Sequence, residues 1–386
     1  MHFTRFVQSC SLAAAVLAAC GGTATPPAPP SSAPAAPASK PVASASAKPA
    51  ASASAPAAVS VSPSAAGSAA AKPAAAPDAS GKVIASAAGS GPKVRAGLSV
   101  ATTFDYLPGY AGIDWGTYKA AGVDVELSTF NGDAFLAQAM AAGSEDIGMH
   151  SAVGVSNAIA KGSPVKIVAQ LNASPAFMGV IAGPDVRTVD DLKGKAVGCT
   201  SAGAFTCFLI AKLSQSKGWN GNDALKPTFL GGFDTELAGL KTKQVAAFIW
   251  THDQGTQVEG DKSGKWLMDF GALLPQFPFE TIAAQEKFIQ SNPDALRKFL
   301  EGYFKAQAML FQDAARTKEL AKKYIGLGPD AVQASLDADK SILSPDGRID
   351  DKGMANVADG LVELKLTPER IDPTKLYTTQ FTPVKV

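Results

Sequence analysis

The chain has 386 residues, a formal net charge of +1 and 18% charged residues. That balance lacks the basic footprint of a nucleic-acid binder and gives no reason to expect a strongly charged partner. No run approaches the roughly 20 apolar residues of a membrane-spanning helix, and the composition changes from an Ala/Ser/Pro-rich N-terminal quarter to an ordinary globular remainder.

Residues 1–19 join Arg5 to the apolar run Leu12–Ala19, the form of a secretory signal. The sequence Leu17-Ala18-Ala19-Cys20 resembles a bacterial lipobox, in which the cysteine is lipid-modified and becomes the first mature residue. The expectation is lipidation at Cys20 and a cell-envelope location outside the cytoplasm, tied to a membrane. Residues 20–92 read as a disordered tether. Gly21–Pro92 contains no Phe, Trp, Tyr or Leu, so it cannot bury enough apolar surface to offset its chain entropy. With Cys10 in the signal and Cys20 lipidated, only Cys199 and Cys207 remain. Two readings stand for them, a bridge across the turn or two separately buried apolar residues. The demanding geometry of a disulfide favours the second.

In the body, Lys93–Val100 alternates as a strand does and is followed by a loop with Phe104, Asp105 and Tyr106. Gly109–Ala121 reads as a helix stopped by Gly122, and Val123–Phe130 as the next strand. Asp133 caps a helix that ends at Gly143. A third strand (Asp146–Met149), the turn His150-Ser151, a helix (Val153–Lys161) and a fourth strand (Val165–Gln170) follow. Strict βαβ alternation argues a parallel sheet wrapped by helices. Phe177–Ala182 is another strand, and then the pattern restarts. Lys195–Cys199 is a strand, Thr200–Ala204 a small polar turn, and Phe205–Leu213 a helix. Strands at Pro227–Leu230 and Val245–Trp250 flank a helix at Phe233–Lys241. Thr281–Gln285 reads as a returning strand, and Asn292-Pro293 starts a long helix.

The fold expectation is therefore α/β with two lobes. Lobe 1 is 93–182 and 275–386, and lobe 2 is 183–274, with two hinge crossings near Gly183 and Leu274. Ligands of open α/β sheets bind beyond the carboxyl ends of strands. That rule gathers five loops into one cleft: Phe104–Tyr106, His150–Val153, Asn172–Ser174, Thr200–Phe205 and Thr251–Asp253.

Several phrases resemble the periplasmic solute-binding proteins of ABC importers, in the group that binds nitrate, sulfonates, taurine and thiamine-pyrimidine precursors. They are Asp146-Ile147-Gly148, Asp191-Leu192-Lys193-Gly194-Lys195 leading to Gly198, Ala246-Ala247-Phe248-Ile249-Trp250, and Asn292-Pro293-Asp294-Ala295-Leu296-Arg297. The resemblance implies a type II periplasmic-binding fold that closes about its hinge. It also implies a small-solute ligand, an ABC permease as partner, a monomer, and no cofactor, metal or nucleic acid. A lipoprotein that only senses its ligand is the alternative. The pyrimidine-synthesis enzymes among such relatives carry a cysteine-rich motif that is absent here, so no catalysis is expected. Where sulfonate binders tend to have His or Arg near the lobe-2 turn, this chain has Phe205-Thr206.

The candidate ligand contacts are Phe104, Tyr106, His150, Ser151, Asn172, Ser174, Ser201, Gly203, Ala204, Phe205, Trp250 and His252. His150 reads equally as a buried neutral side chain, and Asp253 reads as a helix cap. A helix beginning near Ser201 leaves N–H groups that suit an anionic or polar oxygen. The five loops hold aromatics and hydroxyls but no Lys or Arg. The expected ligand is thus a small organic solute (sulfonate, carboxylate or pyrimidine-like) with an acidic or strongly polar end. That end would meet Ser151 and residues 201–204, and its apolar body would lie on Phe104, Tyr106 and Trp250. A bare inorganic anion would want charge or a denser donor set.

Overall fold

The computed structural model describes residues 81–87 and 91–386. The signal, Cys20 and most of the tether lie outside the described residues. The body begins earlier than expected, however. β1 (Lys82–Ala87) falls within the span assigned to the tether and pairs antiparallel with β3 (Asp124–Thr129). The segment KVIASA carries the β-branched pair Val83-Ile84, a strand signal that the surrounding alanine-rich composition hides.

The first lobe contains β2 (Lys93–Leu98), α1 (Leu107–Asp114), α2 (Thr117–Ala121), β3 (Asp124–Thr129), α3 (Asp133–Ala141), β4 (Ile147–Ser151), α4 (Ala152–Ala160) and β5 (Val165–Gln170). The single helix expected over 109–121 is two. Gly116, with φ +77°, takes a left-handed conformation that breaks it and lets Thr117 restart it. β6 (Met178–Ala182), β7 (Ala196–Cys199), α5 (Phe205–Ser216), β8 (Lys226–Phe229), α6 (Phe233–Lys241), β9 (Ala247–Thr251), α7 (His252–Gly260) and β10 (Lys265–Asp269) form the second. The chain then returns through β11 (Glu280–Gln285) and α8 (Glu286–Ser291). It ends in α9 (Pro293–Leu310), α10 (Ala314–Ile325), α11 (Pro329–Ala338) and α12 (Asp351–Glu363).

The two sheets follow one plan. The first has the order β1-β3-β2-β4-β11-β5 and the second β10-β6-β9-β7-β8. In each, three parallel strands (β3-β2-β4 and β8-β7-β9) are followed by one antiparallel strand, β11 or β6. A last strand, β5 or β10, runs antiparallel to that one. Both antiparallel strands enter directly after the chain changes lobes. The crossings therefore run through residues 171–177 and 270–279. This corrects the crossing expected near Gly183, which lies at the far end of β6 with its N–H bonded to Ala246 O. An apolar strand such as MGVIA carries no mark of which sheet it joins, so β6 read as a continuation of lobe 1. Pro227 sits in β8, an edge strand, where a missing N–H costs no ladder bond.

The lobe-1 core lies between the sheet and α9, whose Leu296, Phe299, Leu300, Tyr303 and Phe304 are all fully buried. Each such side chain contributes about 1.5–3 kcal/mol. α12 is shared. Val357 and Leu361 pack with the lobe-2 cluster around Phe208, whereas Met354 and Ala358 pack against lobe-1 residues including Met140. The C-terminal segment therefore does not belong to lobe 1 alone.

Candidate functional site

A small cavity of about 30 Å³, partly open to solvent, lies where the two sheet edges face each other. Carboxyl ends of parallel strands supply most of its wall. Ser99 follows β2, Asp133 follows β3, Ser151 ends β4, Thr200 follows β7, and Trp250 and Thr251 end β9. The antiparallel strands bring their amino ends to the same edge, so Glu280 opens β11 and Met178 opens β6. Phe205, Thr206, Phe279, Thr103, Val100 and Gly132 complete the lining.

Asp133 ties the site together. Its Oδ1 accepts from Ser151 N (3.0 Å), and its Oδ2 accepts from Ser151 Oγ (2.7 Å) and from Phe205 N (3.4 Å). The last bond crosses between lobes, because Phe205 is the first residue of α5. Burial pushes the Asp133 carboxyl above its ordinary pKa, against the lowering effect of those hydrogen bonds. At the floor, Tyr106 Oη donates to Glu280 Oε2, and Ser99 Oγ lies 2.9 Å from the phenol oxygen. The phenol has one proton, used on Glu280, so Ser99 donates to it. Burial first, and the nearby Asp133 second, hold Glu280 well above the usual carboxylate range. Behind this wall Asp105 is likewise raised by burial and by Asp339, Glu280 and Asp253. Asp253 bridges the lobes by accepting from Phe104 N at 3.1 Å.

Three buried polar atoms on lining residues have no partner: Trp250 Nε1, Thr251 Oγ1 and Thr103 Oγ1. Unpaired buried groups are costly, and three in one cavity suit a polar occupant. Phe205, Phe279 and Trp250 provide its aromatic faces, with Phe205 stacked on Phe279 at 4.6 Å.

The twelve expected contacts divide. Ser151, Phe205 and Trp250 line this cavity. Tyr106 reaches it only through the Glu280 and Ser99 hydroxyl chain. Ser201 and Gly203 lie on the same turn but line neighbouring grooves, and Ala204 is buried as the residue preceding α5. Phe104 turns its ring into the lobe-1 core against Phe311, so the expectation that it receives the ligand's body is corrected. His150 is fully buried in β4, where burial pushes its pKa down to about 3. Asn172 Oδ1 accepts from the backbone of Phe279 and Glu280, thereby holding the chain entering β11. Ser174 is buried in the crossing and His252 packs against Trp266, both off the lining. The sequence reading missed Glu280, Phe279, Met178, Ser99 and Thr103. One signal was available: Glu280 is an acid opening an otherwise uncharged strand. Asp133 was read as a cap of its own helix, whereas it serves Ser151 and α5.

Two N–H groups at the start of α5, where an acidic ligand end was expected to sit, are already in use. Asp133 accepts from Phe205 N, and Ala204 N donates to Ser201 O. The unpaired reading of the cysteines is also corrected. Cys199 and Cys207 form a disulfide with Cα atoms 5.2 Å apart, because the TSAGA turn brings the first turn of α5 back over the end of β7.

Two glycines let the lobes meet here. A Cβ on Gly132 (φ +128°) would lie 2.7 Å from Ser201 Oγ, and one on Gly203 (φ +79°) 2.2 Å from Asn157 Nδ2. Both contacts span the seam, and only glycine accommodates the backbone and the approach together.

The chain belongs to the family described as NMT1/THI5 like, which matches residues 103–316, more than half of its length. Its fold is the two-lobe α/β fold of periplasmic binding proteins, the one expected from the sequence. The alkanesulfonate-binding protein SsuA of Xanthomonas axonopodis pv. citri, solved bound to MOPS, is 18% identical with a TM-score of 0.65, and the match covers 76% of this chain and 99% of that one. The aliphatic sulphonate binding protein SsuA of Escherichia coli is 18% identical with a TM-score of 0.61, covering 76% and 93%. The periplasmic nitrate-binding protein NrtA of Synechocystis PCC 6803 is 16% identical with a TM-score of 0.54, covering 63% and 69%. No curated protein sequence matches the chain.

Proposed function

We propose that this chain is the extracytoplasmic solute-binding component of an ABC importer, that it is lipid-anchored at Cys20, and that it captures a small organic solute between its lobes. The observation that carries the reading is the cavity itself. It lies at the carboxyl ends of both sheets, is walled by both lobes, and holds three unpartnered polar atoms among aromatic faces. The sulfonate- and nitrate-binding relatives support solute capture as the role, and a permease as the partner that reads the closed form. The lipobox around Cys20 supports the anchor. Cys199 and Cys207 are joined, so neither offers a thiolate nucleophile, which favours binding over catalysis.

Capture would proceed by hinge closure, with the 171–177 and 270–279 crossings turning while Asp133, Asp253 and Gln254 engage across the seam. A solute shifts that equilibrium only by its preference for the closed form. The test exposes the mature chain to a pool of small metabolites and reads native mass and small-angle scattering together. One added small-molecule mass with a reduced radius of gyration is expected. Unchanged mass and scattering at saturating pool concentrations would overturn the reading.

A further inference from the structure

We propose that the captured solute is an organic cation, an ammonium or amidinium group on an apolar body, and that Glu280 is the residue selecting it. The proposal rests on the solute-capture reading and deepens it.

Charge is the first argument. Two carboxyl side chains, Asp133 and Glu280, line the cavity, and among the described residues no Lys, Arg or His does. Both are nearly or fully buried, at 6% and 3% exposure. Burial without a counter-charge holds both carboxyls above their ordinary range while the cavity is empty. A sulfonate, carboxylate or nitrate would find no counter-charge there and would push them higher still, whereas a cation lowers them and meets the ionised carboxylates it draws out. The first N–H of α5, which would otherwise favour an anion, is already taken, because Asp133 of the opposite lobe accepts it. The chain's own carboxylate stands where an anionic ligand oxygen would have stood.

The aromatic lining is the second argument. Phe205, Phe279 and Trp250 surround the same space. Aromatic faces beside a carboxylate attract an ammonium or amidinium through the ring quadrupole, most strongly when desolvated. Independently, Trp250 Nε1, Thr103 Oγ1 and Thr251 Oγ1 are at least nine-tenths buried and unpartnered. An indole N–H can only donate, so the solute also carries a neutral acceptor away from its cationic end. Glu280 is suited to the selecting role because Tyr106 and Asn172 fix it. The phenol donates to its carboxyl, and the Asn172 amide oxygen accepts from its backbone N–H at 3.1 Å.

The experiment uses the mature chain and isosteric series: benzamidine against benzoate and benzenesulfonate, butylammonium against butanesulfonate, nitrate, and a neutral aminopyrimidine. Binding is read by thermal shift and by Trp fluorescence. The cations are expected to give the largest shifts. Glu280→Gln should weaken them at least about tenfold, the size expected for losing a charge-assisted hydrogen bond, while leaving the anion responses no weaker. The wild-type ranking needs no variant, so a Glu280→Gln chain that fails to fold leaves the test intact. Anions or the neutral ring outranking the cations would overturn the proposal while leaving solute capture standing. Silence from every compound, in a chain that still takes up mass and compacts with the metabolite pool, would overturn it equally.

Discussion

Glu236 offers a measurement in which one buried proton sets the size of the effect. It lies on α6 and is fully buried, with both carboxyl oxygens unpartnered. It packs so closely on β7 that a Cβ at Gly198 would come within 1.9 Å of its Oε2. Burial alone pushes its pKa from 4.5 up to about 9. Between those values the unfolded chain has released the proton and the folded chain keeps it. The unfolded state then binds fewer protons, so stability falls as pH rises, by about 1.4 kcal/mol per pH unit. From pH 6 to pH 8 the loss is roughly 2.7 kcal/mol from this side chain. Glu236→Gln keeps the shape and removes the titration. At roughly 2 °C per kcal/mol for a body of this size, the melting temperature of the variant relative to wild type should rise by about 5 °C between pH 6 and pH 8. Scanning calorimetry at pH 6, 7 and 8 and fixed ionic strength provides the readout. Other buried acids bend both curves alike, among them Asp339 with its pKa raised to about 8, and so cancel in the difference. Parallel melting curves for the two proteins across that range would refute the reasoning.

Gly132→Ala places a methyl group against Ser201 in a backbone conformation that costs alanine roughly 1–3 kcal/mol. It should hold the lobes apart, enlarging the radius of gyration with solute present and weakening capture about tenfold or more; unchanged compaction would contradict the seam argument. Cys20→Ser should yield either soluble protein or an unprocessed precursor on fractionation, and a mature, membrane-bound variant would rule out the anchor.

Much of the fold was legible because strands and helices announce themselves by period and by their stops. The helix of Leu296 to Phe304 shows one apolar face in sequence and buries that face in the structure. The restart of the βαβ pattern after Ala182 pointed to two lobes, and the family phrases agreed. Strand pairing was less legible. β6 and β11 read as apolar runs like their neighbours, and only the sheet order shows that each enters antiparallel after a crossing. β1 escaped notice because alanine and serine dominate its flanks. The disulfide depended on how far the 200–204 turn folds back, a distance that the spacing of Cys199 and Cys207 alone does not fix.

The site was legible where a residue acts through its own loop and illegible where it acts on another. Ser151, Phe205 and Trp250 are each placed by their own strand end. Asp133 stands at the start of a helix, the usual position for a cap, and the sequence offers no reason to look further. In the structure Gly132 precedes that helix with φ +128°, which aims the Asp133 carboxyl out of α3 toward Ser151 and across the seam to Phe205. That single reorientation reverses the electrostatics of the cleft. A turn that reads alone as a donor set for an anion becomes, with Asp133 seated on it and Glu280 below, part of a pocket walled by carboxyls and aromatic rings, the combination on which the proposed cation rests.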